Sequence, residues 1–153
     1  MCLIVKEGIK EGIKVAEEDI VVYKILSKCC DKEEIVVTYE PPYQWRHFKY
    51  KQGVNSAADE EEGIFKREGI FKRHGVLYGC YTYVEGGFLH AFTDLDFALY
   101  FMRVNFTNKY SLNFIVEYHV YKMVIPKGTR YVIGEQNDIC ARELRWEDMT
   151  PCD

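Results

Sequence analysis

Residues 86–102 (GGFLHAFTDLDFALYFM) constrain the fold of this chain more than any other stretch. A short apolar run over residues 88–92 predicts a buried strand that leads directly into an amphipathic helix at about residues 93–103. Thr93 is the predicted N-cap, and Asp96 follows three residues later, as a carboxylate does in a capping box. Leu95, Leu99 and Met102 recur at helical spacing, so we expect that face to pack against a sheet.

The other elements are predicted mainly as strands. Residues 20–26 are almost continuously apolar, which favours a central strand. A turn at residues 29–32 and a strand over residues 34–39 would complete a hairpin. Residues 112–125 alternate in polarity and predict a long extended segment, followed by strands at residues 129–133 and 139–146. The expected fold is therefore α+β, a mostly antiparallel or mixed sheet with one principal helix.

The chain length indicates one compact domain over residues 1–153. Within it, residues 1–16 form an N-terminal segment that contains Glu-Gly-Ile-Lys twice. Residues 55–75 form a loop-rich insertion with a tandem Glu-Gly-Ile-Phe-Lys-Arg. Such short repeats are typical of tolerant surface segments. The alternative to a surface loop in the second repeat is a β-hairpin, in which Ile64 and Phe65 would pair with Ile70 and Phe71.

Charge and cysteine content narrow the expected partners. The net charge of −4 argues against broad binding to nucleic acid or to an anionic membrane. The apolar run near the start is too short for a secretory signal, so we expect a cytoplasmic protein whose six cysteines are thiols. Their spacing does not match a zinc site, and we expect no metal.

Four segments resemble a group of small uncharacterised proteins from bacteria and their phages. They are VVYKI at residues 21–25, PYQ at 42–44, GFLHAF at 87–92 with the following helix, and IPKGTRYVIG at 125–134. The resemblance covers most of the chain and implies no activity. It favours a small protein of bacterial or phage type.

The chain contains, in order, a Tyr-Lys strand, a Gly-Phe-Leu-x-x-x-Thr strand, an Ala-x-x-Phe helix, the segment Ile-Val-Glu-Tyr-His-Val and a Pro-x-Gly turn. This order is distantly similar to that of mono-ADP-ribosyltransferases, and the similarity implies NAD as cofactor. Lys24 stands where those enzymes carry an Arg that positions NAD. His90 begins the segment, ending at Thr93, that replaces their Ser-Thr-Ser, and Glu135 is the late acid that would stabilise a developing cation. Asn137 stands where a second acid is expected, and Lys cannot form the bidentate contact of Arg.

Two function hypotheses follow. The favoured one is a non-enzymatic protein without a cofactor that binds a small molecule or a host protein through an aromatic-lined cleft. Its ligand-binding residues would be Tyr23, Tyr43, His90, Thr93 and Tyr100. The alternative is an NAD-dependent enzyme that resembles mono-ADP-ribosyltransferases, with Lys24, His90 and Glu135 as catalytic residues.

Individual histidines leave further alternatives open. His90 could contact a ligand, or it could be a structural histidine bonded to the backbone. Glu117 and His119 fall on the same face of the predicted long strand, so they could form a catalytic pair or face solvent.

Overall fold

A computed structural model describes residues 3–5, 13–42, 49–57, 70–73, 82–84, 88–134 and 137–153 of the chain. The described strands are β1 (Leu3–Val5), β2 (Ile13–Val15), β3 (Ile20–Asp31), β4 (Val36–Glu40), β5 (Gly53–Ser56), β6 (Ile70–Arg73), β7 (Thr82–Val84), β8 (Leu89–Phe92), β9 (Lys109–Tyr110), β10 (Phe114–Ile125), β11 (Arg130–Ile133), β12 (Asp138–Ala141) and β13 (Glu143–Trp146). Helix α1 (Leu95–Asn105) lies between β8 and β9.

The long strands β3 and β10 form the centre of a ten-stranded sheet. They are antiparallel and pair over twelve positions, from Ile20 opposite Ile125 to Asp31 opposite Phe114. The nearly continuous apolar run in β3 suits a central strand that is covered on both faces. A smaller three-stranded sheet has the order β1-β7-β6.

The second edge of β3 is shared by two strands, and this division creates the site described below. Strand β8 pairs with the start of β3, where Phe92 lies opposite Tyr23. Strand β4 pairs with the end of β3, beginning where Glu40 lies opposite Ser27. Between these pairings, residues 24–26 have no recorded strand partner on that edge in the described chain. We call this opening the fork.

The two faces of the central sheet carry separate apolar clusters. On one face, α1 packs through Ala98 and Met102 against Ile25, Phe92 and Val120. We call these five residues and the side chains packed on them the helix-side cluster. On the opposite face, the largest fully buried side chains are Trp146 and Tyr121. Their rings meet edge to face with centroids 4.8 Å apart, a favoured geometry for an aromatic pair.

The central expectations from the sequence are confirmed in outline. Strand β8 is extended and largely buried, and Leu95, Leu99 and Met102 all pack on the helix-side cluster. Every described strand pair is antiparallel, and α1 is the one helix among the described residues, so strands dominate the α+β architecture. Within the described residues, no helix is long and apolar enough to cross a membrane.

The predicted N-cap is wrong by one residue. Asp94, not Thr93, caps α1, because its carboxylate accepts the backbone N–H of Phe97 at 3.0 Å. The Thr93 hydroxyl instead donates to the carbonyl of Asn137 at 3.1 Å. The helix consequently covers Leu95–Asn105 instead of about residues 93–103.

Two strand boundaries also differ from the prediction. The predicted turn at residues 29–32 lies largely within β3, which continues to Asp31 because β10 and β4 pair with it there. The predicted final strand is two strands, β12 and β13, separated at Arg142. The predicted hairpin of Ile64 and Phe65 lies outside the described residues, whereas β6 pairs with β7.

The cap can be tested by substitution. Asp94→Ala should lower the free energy of unfolding by about 1 kcal/mol, since the first helical N–H groups lose an acceptor. The melting temperature should fall by about 2–4 °C, measured by circular dichroism in moderate salt. Asp96→Ala removes the same charge from the same turn without removing the cap, so it should cost much less. Equal losses for both variants would contradict this assignment.

Candidate functional site

Lys24 is the unusual residue of the fork, because it places an amine inside a mostly apolar strand. Its side chain is 7% exposed. The Nζ atom donates a hydrogen bond to the backbone carbonyl of His90 on β8. It also lies 5.3 Å from the centroid of the Tyr50 ring, within the range of a cation–π contact. The amine therefore has one carbonyl and one aromatic face as its recorded partners.

A cavity of about 90 Å³ lies at the fork. It is bounded by β3, by β8, by the residues that follow β4, and by α1 with its C-cap. The residues that line it are Lys24, Ile25, Pro41, Pro42, His90, Ala91, Phe92, Phe101 and Phe106. The prolines and phenylalanines make most of this wall apolar, and Lys24 is the single lysine among the described residues that line it.

The aromatic side of the cavity is held by contacts among its own rings. The centroids of Phe92 and Phe101 are 5.3 Å apart, and those of Phe101 and Phe106 are 6.3 Å apart. Phe106 in turn stacks on Tyr118 of β10 at 5.0 Å. These distances are typical of favourable aromatic pairs, so the wall is anchored to the central sheet.

Desolvation controls the charge of the polar groups at the fork. Burial lowers the pKa of Lys24 to about 7, and interaction with Cys140 acts weakly in the opposite direction. Burial, followed by repulsion from Lys24, lowers the pKa of His90 to about 3. Burial also raises the pKa of the Cys140 thiol. At neutral pH, His90 and Cys140 are therefore uncharged, while Lys24 is close to its midpoint.

Two polar groups at the fork are incompletely satisfied. No carboxylate pairs with Lys24 among the described residues, although buried ammonium groups ordinarily need such a partner. The Nδ1 atom of His90 is buried and has no hydrogen-bond partner in the described structure. Buried polar atoms are rarely left unpaired, and such exceptions call for an explanation.

The structure brings together only part of the residue set predicted from the sequence. Lys24 and His90 meet at the fork and both line the cavity. Tyr23 packs on the helix-side cluster, and Thr93 is exposed. Tyr100 is 64% exposed on α1 and does not line the cavity.

Two of the predicted residues, Tyr43 and Glu135, lie outside the described residues. Sequence reasoning also missed several residues that form the cavity wall, chiefly Pro41, Phe101 and Phe106. The available signal was a single lysine inside the apolar run of residues 20–26. Its partners come from distant parts of the chain, so the run alone did not identify them.

The predicted neighbours Glu117 and His119 do lie close together on β10. The Nε2 atom of His119 is 3.7 Å from a Glu117 carboxylate oxygen, and its Nδ1 atom is 3.0 Å from Asp153. Asp153 also accepts the backbone N–H of Val120 at 3.2 Å. These contacts tie residue 153 to β10.

Metal-binding and redox groups add no further site within the described ranges. No group of three or more His, Cys, Asp or Glu side chains among those residues could hold a metal ion. Cys29, Cys30, Cys140 and Cys152 are free thiols.

Comparisons of the chain with protein-family models, with curated proteins and with solved structures found no match.

The charge state of Lys24 predicts how stability depends on pH. Its pKa is lowered from 10.5 to about 7 on folding, so the unfolded chain binds more protons than the folded one above pH 7. Stability should therefore rise with pH across this range. From pH 7 to pH 9, the free energy of unfolding should increase by about 2 kcal/mol more in the wild type than in Lys24→Met.

Urea unfolding of both proteins at the two pH values measures this difference. Burial keeps Tyr50 and Cys140 protonated, because it raises the pKa of both groups. Their contributions to the pH dependence of stability should consequently be the same in the wild type and in the variant, and should cancel in the comparison. Parallel pH dependence in the two proteins would contradict a lowered pKa for Lys24.

Proposed function

We propose that this protein is a small-ligand-binding domain whose ligand occupies the fork cavity and makes its polar contact with Lys24. The observation that carries the proposal is the environment of Lys24, which is one of the residues that line the cavity and whose buried amine has no carboxylate partner among the described residues. The phenylalanines and prolines of the wall would contact the apolar part of the ligand. This arrangement, mostly apolar with few polar groups, is typical of small-molecule sites.

The energetic cost of Lys24 supports a role in binding. Burying an ammonium group costs several kcal/mol, and an apolar residue of similar size is often equally stable or more stable at such a position. What lysine adds is a hydrogen-bond donor in a place that water reaches poorly. A ligand with an oxygen acceptor would satisfy that donor on binding.

The size of the cavity limits the part of the ligand that enters it. An engineered cavity of about 150 Å³ accommodates benzene, and the fork cavity measures about 90 Å³. Its occupant therefore has only a few carbon or oxygen atoms, or it is a short branch of a longer molecule. We infer a cytoplasmic setting of bacterial or phage type, for which the free thiols and the sequence resemblance are the support.

The ADP-ribosyltransferase-like alternative draws support from the meeting of Lys24 with His90. The cavity they share is smaller than the about 300–1,000 Å³ of pockets that hold drug-sized ligands. This size favours the small ligand over NAD. We expect no release of nicotinamide when the protein is incubated with labelled NAD. Release that is lost in Lys24→Met would instead establish the alternative.

Binding can be measured by ligand-observed NMR with a panel of four-carbon compounds that carry an oxygen, including butan-1-ol and butanoate. Phe101→Leu should weaken binding about tenfold, the equivalent of about 1.4 kcal/mol, because it removes an aromatic wall. Tyr100→Leu changes the neighbouring, exposed aromatic residue of the same helix and should leave binding unchanged. Equal effects of the two variants, or no binding by any compound, would contradict the proposal and favour a protein partner.

A further inference from the structure

The surroundings of Lys24 are those of a nucleophilic amine. The amine donates a hydrogen bond to the carbonyl of His90 and lies over the Tyr50 ring. No anion among the described residues holds the amine in its charged form. A lysine becomes a nucleophile when an apolar pocket desolvates it in this way.

The neutral fraction of the amine is large enough for chemistry at neutral pH. A lysine with the ordinary pKa has roughly one neutral amine in 2,500 at pH 7. Burial brings the pKa of Lys24 to about 7, so roughly half of the molecules carry the neutral form there. Other groups that face the amine, namely His90 from β8, Cys140 from β12 and the Tyr50 ring, are uncharged at this pH.

We propose that Lys24 captures a small aldehyde or ketone in the fork cavity as a reversible imine. This inference rests on the proposed function, since the carbonyl compound must first enter the cavity. The oxygen of such a compound would accept a hydrogen bond from Lys24. Its carbon would then lie next to Nζ.

The reaction balances without an oxidant or a reductant. The Nζ lone pair attacks the carbonyl carbon and forms a C–N bond, and the electrons of the C=O π bond move to oxygen. The oxygen gains a proton as nitrogen loses one, which gives a carbinolamine. The nitrogen electrons then form the C=N π bond as the C–O bond breaks, and the leaving hydroxyl takes up the remaining nitrogen proton and departs as water. Hydrolysis by the reverse path returns the free amine and the carbonyl compound.

The small volume of the cavity selects among carbonyl compounds. At about 90 Å³ it suits a short aliphatic chain better than a ring. The rings of Phe101 and Phe106 would contact that chain. We therefore expect short-chain aldehydes and ketones to be the chemical class that the site captures.

Reductive trapping tests the proposal directly. The full-length protein is incubated at pH 7 with a limiting amount of butanal and with cyanoborohydride, which reduces an imine to a stable secondary amine. Peptide mass spectrometry then locates the butyl group. We expect Lys24 to be labelled at least tenfold faster than Lys122, an exposed lysine on the adjacent strand β10.

Variants and a second ligand separate this inference from the proposed function. Lys122→Arg should leave labelling of Lys24 unchanged, and Lys24→Arg should abolish the fast phase. If Lys24→Arg does not fold, the labelling pattern of the wild type still decides the question. Butan-1-ol has the same chain without the carbonyl and reports cavity binding alone.

Labelling confined to exposed lysines would overturn the imine. If butan-1-ol still binds in that case, and Phe101→Leu weakens its binding, the proposed function stands and the covalent step is wrong. If neither compound binds and Lys24 is not labelled, both proposals are wrong. Fast labelling of Lys24 that excess butan-1-ol slows would support both.

Discussion

The antiparallel pairing of β3 with β10 is the constraint on which the rest of the described sheet depends. Twelve consecutive pairs fix the orientation of every side chain on the two strands. One edge of β3 is fully occupied by β10, so β4 and β8 must share the other edge. Because neither strand pairs with residues 24–26, the sheet contains an opening next to β3, one of its two central strands. The cavity and the position of Lys24 in its wall both result from the sharing of this edge by β4 and β8.

The cost of desolvating the Lys24 ammonium group is larger than the stabilisation that its hydrogen bond and its cation–π contact provide. A hydrogen bond that involves a charged group contributes about 1.5–3 kcal/mol. A cation–π contact adds about 0.5–2 kcal/mol. Removing an ammonium group from water costs several kcal/mol, and its recorded partners, a carbonyl of His90 and the ring of Tyr50, only partly offset that cost. The direction of the pKa shift follows from this difference.

Much of the local structure could be predicted from the sequence, because it depends on short-range patterns. The alternation of residues 112–125 correctly predicted the long extended strand β10, in which Val120 packs on the helix side and Tyr121 on the opposite side. The apolar run of β8 was sufficient to predict a buried strand. The helical spacing of Leu95, Leu99 and Met102 was sufficient to predict the face of α1 that packs on the sheet. The cap was assigned to the wrong residue because Thr93 and Asp94 are adjacent and both are good N-caps. The extended backbone at Asp94 and the hydrogen bond that its carboxylate accepts from Phe97 distinguish them.

The site was less predictable, because it depends on contacts between distant residues. Lys24 and His90 are 66 residues apart, and their contact requires β8 to pair with β3 at Tyr23. Pro41 and Phe101 reach the same cavity from two further elements. No local sequence pattern predicts that β4 and β8 pair along the same edge of β3. The lone lysine in an apolar strand was visible in the sequence, but its environment was not.

The titration of Lys24 is the most direct test of this account. Heteronuclear NMR of protein labelled at the lysine side-chain carbon and nitrogen follows each amine with pH, and the spectrum of Lys24→Arg assigns the resonance. Because burial lowers its pKa, the amine of Lys24 should titrate with a midpoint of about 7. A midpoint near the ordinary lysine value of about 10.4 would show that the amine is solvated or paired. That result would contradict a buried amine without a carboxylate partner among the described residues, from which the site is derived.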